Sequence, residues 1–119
     1  MNVSFAEIQG SSSGCFAKGS PTRLVLDHVS STWGVLVLGT LSEGTRRWGE
    51  LRRDLDGISE KMLASTLRAL ATDGLVHREP LASVPPHVEY SLTPRGRELA
   101  ERMMPFLEWI ATNSDDEPL

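Results

Sequence analysis

Lys61, Ser65, Arg68 and Thr72 recur at helical spacing, carry cations or hydroxyls, and include no carboxylate. On a helix of about 3.6 residues per turn they stack along one line. Donors of this kind, presented in a row, suit hydrogen bonding to base edges in the major groove of DNA. An ordinary solvated helix face has a similar composition, so the neighbouring sequence has to decide. Just upstream lie Arg46, Arg47, Arg52 and Arg53. Arginines beside a groove-reading helix hold phosphates, which gives affinity and salt dependence rather than sequence choice.

Other chemistries find no matching set of residues. His28, His77 and His87 are scattered without metal-ligand spacing, and Cys15 is the single cysteine. An intramolecular disulfide and a multi-cysteine zinc site are therefore excluded, and no metal is expected. There is no nucleophile–base pair, phosphate-cradling glycine loop or carboxylate dyad; Asp54 and Asp56 read as a helix end entering a turn. Neither an enzyme nor a bound cofactor is expected.

The elements that must position the polar line can be read from period and punctuation. Leu63, Leu67 and Leu70 form an apolar stripe on the opposite side of the same helix, with Ser59 as N-cap after a Gly57 turn and Gly74 as the terminating residue. Trp48, Leu51 and Leu55 define a shorter helix before the turn, with Arg47, Arg52 and Arg53 on its outer face. After Gly74, residues 75–78 and 88–92 alternate apolar and polar in strand fashion around LASVPPH. The result is a hairpin whose tip, with Ser83, Pro85, Pro86 and His87, can reach the minor groove or the backbone. A helix, a turn, a second helix and a strand pair make a winged helix-turn-helix: mainly α with a small β-hairpin wing.

Upstream, residues 1–20 are rich in Ser and Gly and predict a flexible N-terminal arm. Ser20 and Pro21 then open a helix carrying Leu24, Val25, Leu26 and Val29, which should end near Ser31. Trp33–Leu41 is too hydrophobic all round for a surface helix and predicts the buried central helix. Thr93-Pro94 opens the last helix, with Leu99, Met103, Phe106, Leu107 and Ile110 on one stripe and Met104 and Trp109 off it. Pro105 should kink that helix near Glu101. Its apolar width exceeds what one face needs, so together with Leu24 and Val25 of the first helix it predicts a twofold dimer interface. The domain then spans 21–112, followed by an acidic disordered tail, 113–119, with Asp115, Asp116 and Glu117.

At 119 residues the chain suffices for one small domain with a thin core. No apolar run approaches the roughly 20 residues of a membrane span, and MNVSFAEIQGSSSG lacks a secretory signal's basic and apolar regions, so a cytoplasmic location is expected. The net charge of −4 argues against a uniformly basic surface. Seven of the twelve cations nevertheless fall between Arg46 and Leu92, among carboxylates that include Glu50, Asp54, Asp56, Glu60 and Asp73. A basic surface therefore requires charge to separate face by face.

RWGELRRDLDGISEKMLASTLRALATDGLVHRE (47–79) and VPPHVEYSLTPRGREL (84–99) resemble the HxlR family of bacterial winged helix-turn-helix regulators, with a looser match from Pro21 to Leu41. The pattern GIS-x-KML-x-x-x-L-x-x-L, DGLV-x-R and V-x-YSLT-x-x-G carries the likeness. The resemblance implies a homodimer built on the first and last helices, binding inverted-repeat operators and commonly repressing neighbouring genes. It places Ser59, Lys61, Ser65 and Arg68 on the recognition helix. Some members sense quinones, aldehydes or oxidants through a cysteine directly before the proline of the first helix, so a small-molecule or electrophile effector is implied. Here that position is Ser20, which cannot form a thiolate; Cys15, five residues earlier and near Lys18, is the candidate redox residue. Thr32 also departs, standing where many members have lysine.

The expected function is a sequence-specific, DNA-binding transcriptional regulator, a repressor, acting as a homodimer on double-stranded DNA. Two alternatives stand beside it. The winged helix can serve as a protein-interaction module kept off DNA by its acidic charge, and Trp33, Met103, Phe106 and Trp109 can enclose a small apolar ligand rather than serve only as core and interface.

Overall fold

The structure, a computed structural model, describes residues 3–10 and 15–114. The chain runs α1 (Phe5–Gly10), α2 (Pro21–Ser30), α3 (Thr32–Leu41), β1 (Arg46–Arg47), α4 (Trp48–Asp54), α5 (Glu60–Thr72), β2 (Val76–Leu81), β3 (His87–Leu92) and α6 (Pro94–Asn113). It is a winged helix-turn-helix with additional helices at both ends.

Serine caps set the first large corner. Ser20 Oγ accepts the Arg23 N–H at 3.1 Å to start α2, and Ser31 Oγ accepts the Gly34 N–H at 3.0 Å to start α3. The two helices meet at 74°. α3 enters the core with Gly34, Val37, Leu38 and Leu41 buried, while Leu36 remains on the surface. The helix is thus central but not enclosed on every side. Among the described residues no single helix is long and apolar enough to cross a membrane.

α5 packs on α3 through the predicted stripe: Leu63, Leu67 and Leu70 are all buried, together with Thr66. Ser59 Oγ caps it by accepting the Met62 N–H at 3.0 Å. At the other end Gly74 takes a φ of 76°. Gly74 N–H donates to the Ala71 carbonyl at 3.0 Å and Leu75 N–H to the Leu70 carbonyl at 2.9 Å, which is a Schellman ending. Leu75, Val76, Tyr90 and Leu92 then continue the core from the sheet side.

The sheet is antiparallel, ordered β1-β3-β2. Two features differ from expectation. β1, two residues paired as Arg46↔Tyr90 and Arg47↔Glu89, makes a third strand. β2 and β3 reach further than predicted, to Leu81↔His87, so the wing loop shortens to residues 82–86 and His87 belongs to a strand. Pro80 is accommodated because β2 is an edge strand whose missing donor leaves no ladder bond unmade.

Thr93 knits α6 to this corner: its Oγ1 accepts the Gly96 N–H at 3.0 Å and donates to the Gly74 carbonyl at 2.6 Å. Its own N–H donates to the Leu75 carbonyl at 3.1 Å. Only Gly96 and Ala100 of α6 are buried. The chain stays helical through Pro105 to Asn113, one residue beyond the expected domain boundary. Glu101 and Pro105 are both exposed, so water can satisfy the carbonyl that proline leaves without a donor.

The N-terminal arm also departs from expectation. Phe5–Gly10 is helical, capped by Ser4 Oγ accepting the Glu7 N–H at 3.0 Å, and the Phe5 ring stacks on Phe16 with centroids 6.2 Å apart. Residues 11–14 of the Ser/Gly run, and Asp115, Asp116 and Glu117 of the expected acidic tail, lie outside the described residues.

Candidate nucleic-acid interface

Burying Leu63, Leu67 and Leu70 turns Lys61, Ser65, Arg68 and Thr72 outward, and all four are exposed. Neither Lys61 nor Arg68 has an ion-pair partner among the described residues. Ser59 sits at the head of the same helix with its oxygen engaged as the N-cap, leaving its hydroxyl hydrogen available to an outside acceptor.

The four upstream arginines divide into two pairs. Arg46 and Arg47 both lie on β1, so Arg47 is not on the helix face that the sequence predicts; the Arg46 guanidinium is 3.5 Å from Asp54 Oδ2 and 3.9 Å from Glu43 Oε1. Arg52 Nη1 lies 3.0 Å from Glu60 Oε1, and its Nε is buried without a hydrogen-bond partner. Arg47 and Arg53 are exposed, and no carboxylate pairs with either among the described residues. Glu50, close in sequence, accepts the Arg47 backbone N–H at 2.8 Å and so caps α4.

Trp48 and Tyr90, with ring centroids 6.5 Å apart, stand between two concavities on this side of the molecule. One, of about 470 Å³, lies between α5 and the sheet and is bordered by Arg68, Thr72 and Arg78. The other, of about 400 Å³, lies between the start of α4 and the wing and is bordered by Arg47, Arg53, Pro86 and His87. Four guanidiniums without a carboxylate partner among the described residues thus border adjoining hollows. Arg78 is the member that sequence reasoning left without a role. Its pairing opposite Tyr90 across β2 and β3 was the relevant signal, and it becomes visible only once the register is known.

The wing residues are placed as follows. Ser83, Pro85 and Pro86 are exposed in the loop. Ser83 Oγ donates to the Pro85 carbonyl at 2.7 Å and lies 2.8 Å from His87 Nδ1, while His87 Nε2 is 3.4 Å from Glu89 Oε2. His87 therefore braces the base of the loop instead of forming its tip.

The residues expected at a dimer interface lie on α2 and α6. Phe106 and Trp109 are 63% and 65% exposed, and Leu24, Met104 and Ile110 are exposed as well. Val25, Met103 and Leu107 are half-buried, as is Trp33. Trp33 and Met103 pack against the core, whereas Phe106 and Trp109 stand out from it, so in the single chain these four do not share one apolar enclosure.

Cys15 is half-buried, its Sγ 3.5 Å from the Ile8 carbonyl and 3.9 Å from Gln9 Oε1. The hydroxyl of Ser20, at the position where the resemblance puts a sensing cysteine, donates to the Cys15 carbonyl at 2.7 Å. Among the described residues no group of three or more His, Cys, Asp or Glu side chains is placed to hold a metal ion.

Residues 28–118 match the family described as HxlR-like helix-turn-helix. YtfH of Escherichia coli (strain K12), an HTH-type transcriptional regulator, is 52% identical over 98 residues, covering 82% of this chain and 78% of the relative. YybR of Bacillus subtilis (strain 168), also an HTH-type transcriptional regulator, is 39% identical over 98 residues with the same coverage of each chain. The solved structure of the transcriptional regulator ytfH from Salmonella typhimurium superposes with a TM-score of 0.77 at 50% identity, covering 82% of this chain and 88% of that one. The redox regulator HypR in its oxidized form gives 0.73 at 39% identity, covering 80% and 98%. With its helix-turn-helix, its wing and these relatives, the chain belongs to the HxlR-like helix-turn-helix family, whose members are transcriptional regulators and not enzymes, and DNA binding is what that family implies.

Proposed function

We propose that this protein is a cytoplasmic, sequence-specific repressor that binds an inverted-repeat operator as a homodimer. The observation that carries the reading is the exposed, carboxylate-free line of Lys61, Ser65, Arg68 and Thr72 on a 13-residue helix flanked by Arg47 and Arg53, neither with a carboxylate partner among the described residues. α5 lies in the major groove, with Ser59, Lys61, Ser65 and Arg68 reaching base edges. Arg47 and Arg53 anchor phosphates directly. Arg46 and Arg52 face phosphate while still paired with Asp54 and Glu60, so each contributes less to anchoring than a guanidinium without a carboxylate. Ser83, Pro85, Pro86 and His87 bring the wing to the neighbouring backbone.

The dimer is supported by the apolar surface that α6 leaves uncovered: Met104, Phe106, Trp109 and Ile110, with Leu24 on α2. Twofold pairing of two reading helices calls for two half-sites spaced by about one helical turn, roughly 34–36 Å, or a multiple of it. An oxidant or electrophile would act through Cys15, since the solved neighbour HypR is a redox regulator and Ser20 has no thiol to offer.

Gel retardation of the chain's own upstream DNA tests the assignment. Lys61→Ala and Arg68→Ala should each weaken binding and relax preference for the operator, by about 1–3 kcal/mol where a base contact is lost. Unchanged affinity and preference in both variants would remove α5 as the reading element. The net charge of −4 favours a second reading, a winged-helix module that binds protein partners. That module would show no salt-dependent DNA affinity at all.

A further inference from the structure

We propose that Arg78 is a phosphate-clamping residue that holds the DNA strand passing between the recognition helix and the wing; this rests on the reading of α5 as the groove-bound helix. Arg78 lies on β2 and pairs with Tyr90 on β3, so the two residues share one face of the sheet, together with Val76 and Leu92. Val76, Tyr90 and Leu92 are buried, so this is the face turned toward the core and α5, and Arg78 sits where the core ends and solvent begins.

Strand alternation sorts the charges around it. His77↔Ser91, Glu79↔Glu89 and Leu81↔His87 occupy the other face, where His77 Nε2 lies 3.9 Å from Glu79 Oε1 and His87 Nε2 3.4 Å from Glu89 Oε2. The wing's two carboxylates are thereby kept off the Arg78 side. Arg78 is exposed and has no ion-pair partner among the described residues. It borders the 470 Å³ hollow between α5 and the sheet together with Arg68 and Thr72, over a floor of Trp48 and Tyr90. None of the described residues bordering that hollow is acidic.

A duplex engaged by α5 in its groove and by the wing alongside must carry one sugar-phosphate strand across this hollow. A guanidinium is the donor suited to a phosphate, with two parallel N–H groups, and here its strand is fixed by a ladder to β3. Being on the sheet and not on the reading helix, Arg78 contributes affinity without sequence choice.

The test is fluorescence anisotropy of the full-length chain on its operator and on a random duplex of equal length, across a salt series. Arg78→Ala should weaken binding to both by the same factor, about tenfold at physiological salt, and lower the log–log salt slope by about 0.9, the value of one released counterion. Arg78→Lys should retain the slope, and Arg95→Ala, an exposed cation on α6, should change neither quantity. An Arg78→Ala slope equal to wild type overturns the proposal while leaving DNA binding intact. A loss confined to the operator overturns it too, because Arg78 would then read bases. A wild-type chain with no salt-dependent affinity for either duplex removes the parent reading and this one with it.

Discussion

Gly96→Ala and Gly39→Ala both replace a helical glycine by the best helix former, yet they should move stability in opposite directions. By propensity alone each substitution gains roughly 0.5–1 kcal/mol. A Cβ at Gly39 meets nothing within 4 Å, so α3 should keep that gain. At Gly96 a Cβ would be built into the Leu75 peptide: besides the carbonyl oxygen, it would stand 2.9 Å from the Leu75 carbonyl carbon and 3.2 Å from its Cα. These are backbone atoms and cannot swing aside. The same Leu75 carbonyl accepts the Thr93 N–H that starts α6, so relieving the overlap strains that bond. Overpacking costs about 1–3 kcal/mol and a weakened hydrogen bond about 1 kcal/mol, so after the propensity gain the net loss is about 1–3 kcal/mol. For a domain of this size that lowers Tm by roughly 5–20 °C, while Gly39→Ala should raise it by a few degrees. Far-UV circular dichroism melts at one fixed protein concentration measure both, because self-association would otherwise shift Tm by mass action. A Gly96→Ala chain melting at or above wild type would refute the close packing of α6 on Leu75.

Three further outcomes follow from the geometry. His28→Ala removes the ring whose Nδ1 lies 2.7 Å from Asp73 Oδ2, leaving a carboxylate whose side chain is only 9% exposed without its partner; urea unfolding should show a loss of about 1–3 kcal/mol, and an unchanged midpoint would mean that the contact carries no energy. Phe106→Asp combined with Trp109→Asp changes two side chains that stand clear of the core, so sedimentation should report a dimer for the wild type and a folded monomer for the double variant. A double variant that keeps the wild-type mass would place the interface elsewhere. In a salt series Arg47→Ala and Arg53→Ala should each lower the slope by about 0.9, and Arg52→Ala by less because Glu60 already holds its guanidinium; equal drops at all three would show that this ion pair does not survive on DNA.

The parts of the fold legible beforehand are those written in local chemistry. Ser59, Gly74 and Thr93-Pro94 mark helix ends because capping and the left-handed terminus involve residues only a few positions apart. Leu63, Leu67 and Leu70 declare a buried face because one period relates them. Pairing across long sequence distance left no such mark. β1 is two residues held by Tyr90 and Glu89 more than forty positions later, too short to show a period of its own. The arginines were all equivalent as residue types. Only the fold separates Arg46 and Arg52, tied to Asp54 and Glu60, from Arg47, Arg53 and Arg78, and only the strand register puts Glu79 and Glu89 on the face away from Arg78.

α6 is also a lever. Its fulcrum is the short buried stretch at Gly96 and Ala100, and its outer arm, from Gly96 to Ile110, is about 21 Å long at 1.5 Å per residue. A tilt of about 10° at the fulcrum sweeps the tip through nearly 4 Å, about the 3.4 Å rise of one base step. In a dimer clasped at the two tips, a change of a few degrees in how each α6 sits on Leu75 would translate into a change of about one base pair in the separation of the reading helices. Operator spacing would then be gauged at Gly96 and not on the reading helix itself.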